Sequence, residues 1–232
     1  MRYRILQYNA NDNFHGADYF TNVTTNVDYA LFQRLPIKNE LSLIKEIHLE
    51  RSITGMPDSL YVGVGRFTDV KEFSSWNYFD LPSKKIVKET NNKFQGSKAL
   101  STGIGKIVFC SVLPCYPNRQ DGGTITSEDT LEDVRFLLKR LKHTKCIIAG
   151  DFHHVPGEFK ELEDLIKDNG FTSYLDEYDT FVKPGPYGTK INLDRMISNI
   201  PDLTVENITV HHPENNPIKH LAITYIINSI DM

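Results

Sequence analysis

The first residues alternate, with Tyr3, Ile5, Gln7 and Asn9 on one phase and Arg4, Leu6 and Tyr8 on the other, which predicts a strand running into the polar turn NANDN. Val27 to Leu35 (VDYALFQRL), bounded by Asn26 and Pro36, reads as a second, buried strand that ends at Gln33 and Arg34. From Asn39 to Glu50 the apolar residues Leu41, Leu43, Ile44, Ile47 and Leu49 fall close to helical spacing, with Asn39 placed to cap, and predict a helix. Two runs rich in β-branched and aromatic residues, 59–73 and 105–113, predict central strands, and the stretch between them carries no assignment.

The strongest helical period lies at 128–141, where Leu131, Val134, Leu137, Leu138 and Leu141 recur behind Ser127 as the expected cap. Its basic end, KRLKHTK, complements the helix dipole and reads as a solvated terminus. CIIAG (146–150) is a fully apolar strand pattern, and 158–169 an amphipathic helix closed by Gly170. Short strands at 191–197 and 221–227 bracket a β-rich stretch at 203–210. Helices and strands in this order indicate a layered α/β sandwich.

The chain has 232 residues, 40% of them hydrophobic, enough for one large core, so residues 1–232 are read as a single domain. A formal net charge of -4 argues against gripping nucleic acid by bulk electrostatics, so any polyanion site must be local. Cys110, Cys115 and Cys146 form no C-x-x-C pair and no zinc spacing, which points to a reducing compartment. No run spans a bilayer and no cleavage site follows the N-terminus, so the expectation is a cytoplasmic protein with no membrane partner.

Candidate chemistry begins at IIAGDFH (147–153), where a buried strand delivers Asp151 at the point where the chain leaves the sheet. A GDF triplet alone is common. Four more segments accompany it: RILQYNAN ending near Asn9, DYALFQR ending at Arg34, INLDRMIS carrying Asp194, and NPIKHLAITY carrying Lys219 and His220. In their order along the chain the five resemble the signatures of the endonuclease/exonuclease/phosphatase superfamily, the deoxyribonuclease-like metallohydrolases, over nearly the whole chain. The resemblance implies a four-layer α/β/β/α sandwich of two mostly antiparallel sheets with helices on the outer faces. It also implies one site built from strand-end loops.

Carried over position by position, the resemblance makes Asp151 the group that orients or activates the nucleophile and His220 the binder of the phosphate. Asp194 orients His220, and Asn9 stands at the family's metal-site asparagine. The departures concern the metal. Arg34 replaces a glutamate, Lys219 replaces an aspartate, and His153 replaces an asparagine. The family's Mg²⁺ rests on carboxylates, and neither Arg nor Lys offers a lone pair to it. The two replacements leave roughly +2 where acids and ion would balance. The expectation is therefore no metal cofactor, with Asn9, Arg34 and Lys219 binding substrate and Asp151, His153, Asp194 and His220 forming the catalytic set.

Plain structural roles stand beside these. Asp151 can cap a turn, Asn9 and Asn11 can be turn residues, and Arg34 with Asp194 can be a structural ion pair. His154, His211 and His212 read as surface histidines, and Tyr116, Asn118, Arg119 and Tyr187 as turn residues. Three functions follow. One is a metal-independent phosphodiesterase acting on a nucleic acid or nucleotide, sharpest as a ribonuclease because RNA supplies its own nucleophile. Another is an inactive member that binds a phosphorylated ligand or protein partner. The least favoured is a metal enzyme using Asp12, Asp28 or Glu40 instead.

Overall fold

The first strand keeps the two phases its sequence announces. In the computed structural model, which describes residues 2–10, 16–36, 44–51, 60–83, 98–114, 126–182, 190–212 and 220–228, β1 is Arg2–Asn9. Tyr3 and Ile5 enter one core cluster, while Leu6 and Tyr8 enter another on the opposite face. It is followed by α1 (Gly16–Thr24), β2 (Tyr29–Pro36), β3 (Glu46–Arg51) and β4 (Leu60–Arg66). Then come β5 (Ser75–Asp80), β6 (Lys98–Ile104), β7 (Ile107–Leu113), α2 (Ser127–Leu141), β8 (Cys146–Asp151) and α3 (Lys160–Asp168). The described chain ends with β9 (Thr172–Tyr174), β10 (Phe181–Val182), β11 (Lys190–Ile191), β12 (Asp194–Ser198), β13 (Thr204–His211) and β14 (Ala222–Asn228).

Two six-stranded sheets result, ordered β13-β14-β1-β2-β4-β3 and β5-β6-β7-β8-β12-β9, beside a small β10-β11 ribbon. In each large sheet one neighbouring pair is parallel, β1 with β2 and β7 with β8, and the rest are antiparallel. The sheets face each other across a core that includes Ile5, Tyr29, Leu100, Phe109, Met196 and Tyr225. On the outside, α1 covers the first sheet through Phe20 and Val23, and α2 and α3 cover the second through Leu131, Leu138 and Leu162. This is the expected four-layer sandwich. Among the described residues no helix is long and apolar enough to cross a membrane.

Three local expectations are corrected. The predicted helix at 39–50 is a strand from Glu46 onward, antiparallel to β4 with Ile47 opposite Gly65 and Leu49 opposite Gly63; residues 39–43 lie outside the described residues. Ile47 and Leu49 share one face at a period of two, and the ladder that β4 offers outweighs a weak helical spacing. The cap of α2 is Thr126 rather than Ser127. Its hydroxyl accepts from Asp129 N, and the Asp129 carboxylate accepts from Thr126 N in return, a capping box. Asp28 lies before β2, at the end away from Arg34, and accepts from Arg4 N and Thr68 Oγ1, so it is no substitute metal ligand. Asp12 and Glu40 lie outside the described residues.

Candidate functional site

Polar residues on the inward phase of β1 and β2 stitch the sheets together. Gln7 Nε2 donates to the carbonyls of Gly150 and Arg195, each at 3.3 Å, and Gln33 Nε2 donates to Ser111 Oγ at 2.8 Å and to the Ala149 carbonyl. The next inward residue after Gln7 is Asn9, at the strand end, where it meets Asp151 from the other sheet. Gly150 is required for that meeting, because a Cβ there would stand 1.9 Å from the Val112 carbonyl oxygen on β7.

Register fixes the remaining partners. Asp194, first residue of β12, lies directly opposite Asp151, last residue of β8, so their side chains share a face. His220 stands two residues before β14, close to the rung that pairs Ile223 with Gln7 of β1, at the same end of the sandwich. Asn9 Nδ2 donates to Asp151 Oδ2 at 3.0 Å, His220 Nδ1 lies 2.9 Å from Asp194 Oδ2, and His220 Nε2 lies 3.5 Å from Asp151 Oδ2. Asn9 Nδ2 also stands 3.3 Å from His220 Nδ1, a contact without a shared proton once Nδ1 donates to Asp194. Asn9, Asp151, Asp194 and His220 are all buried.

Thr180 and Phe181 lock the Asp194–His220 pair in place. Thr180 Oγ1 accepts from Leu193 N and Asp194 N and donates to Asn192 Oδ1, while its carbonyl accepts from Leu221 N at 2.7 Å. Phe181 bridges to His220 through the backbone and sets its ring edge-on at 4.8 Å. Nothing in the DEYDTF stretch announces these two roles. Gln7 and Gln33 do carry a signal, since each is a polar residue that follows apolar ones on the inward phase of its strand.

Two of the three residues that depart from the resembled pattern, His153 and Arg34, act on Asp151. His153 Nδ1 lies 2.9 Å from Asp151 Oδ1, and the His153 main-chain N–H donates to the same oxygen at 3.0 Å. Arg34 follows Phe32 and Gln33 at a register shift in the β2–β4 ladder and has φ 51, as His153 has φ 59. Both stand in the left-handed region, which costs an ordinary L-residue about 1–2 kcal/mol. The bulge carries Arg34 out of simple alternation, and its charge acts on both Asp151 and His220. Lys219 lies outside the described residues, as do Asn11, Tyr116, Asn118, Arg119 and Tyr187. His154 is not simply a surface residue, since its ring packs on Phe159 at 4.5 Å, and half-buried His211 bonds Thr224 Oγ1 at 2.9 Å.

The charges order the protons. Burial works against a charge on Asp151, but His153 and His220 outweigh it and hold this carboxyl below the usual range. Burial likewise disfavours a charged His220, yet Asp194 and Asp151 on either side raise its pKa. Burial, reinforced by the Asp151 charge, pushes Asp194 up against the pull of His220. The result is a His220 ring between two carboxyl groups that favour its protonated form, with burial and the Arg34 charge acting against it. It can orient a nucleophile at Asp151 and present a ring N–H to an oxyanion.

Ligand atoms of Asp151, Asp194 and His220 lie within 4.8 Å of one another, a spacing that could hold a cation. The donors are otherwise engaged: His220 Nδ1 is bonded to Asp194, and both Asp151 oxygens accept from N–H donors. Only Asp194 Oδ1 has no hydrogen-bond partner, and a hard dication takes about six oxygen ligands. As arranged, these residues do not fit Mg²⁺.

No family model and no curated protein matches the chain. Solved structures do match it. An endonuclease/exonuclease/phosphatase family protein from Leptotrichia buccalis superposes with a TM-score of 0.72 at 15% identity, covering 98% of this chain and 100% of the other. An endonuclease/exonuclease/phosphatase from Beutenbergia cavernae gives 0.73 at 11%, covering 97% and 71%. The 3′ phosphatase NExo from Neisseria, bound to a product DNA hairpin, gives 0.71 at 12%, covering 96% and 98%.

Proposed function

The chain has the endonuclease/exonuclease/phosphatase fold, and on that premise we propose a phosphodiester hydrolase that acts on a nucleic acid or nucleotide without a metal ion. The reading is carried by one observation: the Asn9–Asp151–His220–Asp194 cluster is intact, while Arg34 puts a positive charge beside it. Solved structures of similar fold include a phosphatase bound to DNA, which supports a nucleic-acid substrate. Arg34 and Lys219 then hold the phosphate, Arg as a fork and Lys as a point charge.

Asp151 serves the nucleophile, and His220, oriented by Asp194, serves the phosphate oxygens and the leaving group. A carboxylate with a depressed pKa is a weak base toward water, which favours a nucleophile already fixed in place. RNA has one. Its 2′-hydroxyl attacks the adjacent phosphorus and gives its proton to Asp151, the bond from phosphorus to the 5′-oxygen breaks, and that oxygen takes a proton from His220. A 2′,3′-cyclic phosphate and a 5′-hydroxyl result. The test is cleavage of a labelled oligoribonucleotide in EDTA: activity should survive the chelator and disappear in His220→Ala. Loss of activity in EDTA alone, or tight Mg²⁺ binding by calorimetry that vanishes in Asp151→Ala, overturns the metal-free reading.

A second reading has its own support. Asp151 is only 1% exposed and both its oxygens are engaged, as suits a member that binds a phosphorylated ligand without turning it over. Oligonucleotide binding with no product under any metal condition would establish it.

A further inference from the structure

Two histidines touch Asp151, and they are held differently. His220 Nε2 stands 3.5 Å from Asp151 Oδ2, beyond the usual length of a formed hydrogen bond, so an arriving anion can claim its proton. The His153 ring is turned wholly inward, with its side chain 2% exposed. Nδ1 lies 2.9 Å from Asp151 Oδ1, and Nε2 lies 3.2 Å from the carbonyl of Pro114, just past the end of β7. Carboxylates and carbonyls only accept, so a ring bonded to both donates from both nitrogens. It then has no lone pair for a substrate proton and no free N–H for a phosphate.

The backbone serves the same end. The left-handed turn at His153 brings its own N–H onto Asp151 Oδ1, so one residue grips that oxygen twice. The ring's other end ties the grip to the neighbouring strand. Strain of this kind persists only where the surroundings enforce it.

We propose that His153 is a positioning residue and neither acid nor base: a strut between the end of β7 and Asp151 Oδ1 that leaves Oδ2 alone to face Asn9, His220 and the substrate. The role rests on the reading of Asp151 as the group that serves the nucleophile. Of the two histidines, only His220 then meets the reacting phosphate.

The test compares His153→Asn with His153→Ala. Asparagine tolerates the left-handed backbone and can donate to Oδ1 from its amide, but it transfers no proton at the pH of the assay. The first readout uses the free protein. Asn9 Nδ2 donates to Asp151 Oδ2, so the Asn9 side-chain amide signals in a ¹⁵N-correlated NMR spectrum report where Asp151 sits. They should move in His153→Ala and stay near their wild-type positions in His153→Asn. Unmoved signals in the alanine variant overturn the strut, and this holds whether or not the protein cleaves anything.

The second readout is oligoribonucleotide cleavage. His153→Ala should lower kcat by about tenfold or more at unchanged KM, and His153→Asn should recover to within about threefold of wild type with the same pH profile. An asparagine variant as slow as the alanine one, or lacking one limb of the profile, makes His153 an acid or base and overturns the proposal. Absence of cleavage by the wild type fells the hydrolase reading alone, because the Asn9 signals still decide the strut.

Discussion

Replacing Gly150 by alanine tests how tightly the site depends on one missing side chain. The added Cβ would stand 1.9 Å from the Val112 carbonyl oxygen, and 2.8 Å from both the carbonyl carbon and Cγ1 of Val112. The obstacle is the backbone of β7, paired in parallel with β8 at this residue, so no side-chain rotation relieves it. The strands must part by about an ångström, enough to break the ladder hydrogen bonds on either side, since attraction weakens steeply beyond their normal length. Overpacking costs about 1–3 kcal/mol, and a buried backbone group left without its partner a further 1–3 kcal/mol. The expected loss is about 3–5 kcal/mol, a large part of the 5–15 kcal/mol that is typical for a folded domain. Urea unfolding followed by circular dichroism should show the midpoint falling by about 1.5–2.5 M if the slope is near 2 kcal/mol/M. Gly63→Ala is the control: its Cβ would meet chiefly Leu49 Cδ2 at 2.5 Å, the end of a flexible side chain, and should cost about 1 kcal/mol. Equal midpoints for Gly150→Ala and wild type would refute the reasoning.

Other outcomes follow from the same geometry. Thr180→Val removes the hydroxyl that accepts from Leu193 N and Asp194 N and should cost about 2 kcal/mol or more in urea, whereas Thr180→Ser should cost less. Stability should also depend on pH from both sides. The folded pKa of Asp151 lies below its unfolded value, so its contribution is present above pH of about 4 and is lost as pH falls through the folded value. The folded pKa of His220 lies above its unfolded value, so its contribution is full below pH of about 6.5 and is lost as pH rises through the folded value. The raised pKa of Asp194 adds a separate decline with rising pH, which begins at pH of about 4 and ends at its folded value. Melting temperature against pH should therefore fall on both sides of a maximum, and His220→Gln should flatten the alkaline side; an unchanged alkaline slope in that variant contradicts the assignment.

Much of the site was legible in the sequence because it sits at strand ends whose patterns are local. The alternation of β1 placed Gln7 and Asn9 on the core phase, and Asp151 closes an unbroken apolar run. The bulge at Arg34 was not legible, since it depends on how β2 and β4 adjust to each other. Ile44 and Ile47 keep a helical spacing of three while Ile47 and Leu49 keep the strand's period of two, and the ladder offered by β4 decided between them. β5 and β6 escaped notice for opposite reasons: five of the six residues of β5 are exposed, and β6 (KALSTGI) is buried throughout, so neither alternates cleanly. Thr180 acts on residues 192–194 and 221, contacts that only the folded chain brings to it.

The pairing of β1 with β14 makes the site depend on distant parts of the sequence. Asn9 and His220 lie 211 residues apart in the sequence, yet β1, which Asn9 ends, and β14, which His220 precedes by two residues, are neighbours in one sheet. Until β14 arrives, β1 has an open edge toward that side, and Asp151 and Asp194 stand without the imidazole that separates their charges. A growing chain thus carries no assembled cleft. The cleft is complete only with β14 seated between β13 and β1, so a fault in that one docking would disturb the site together with the sheet.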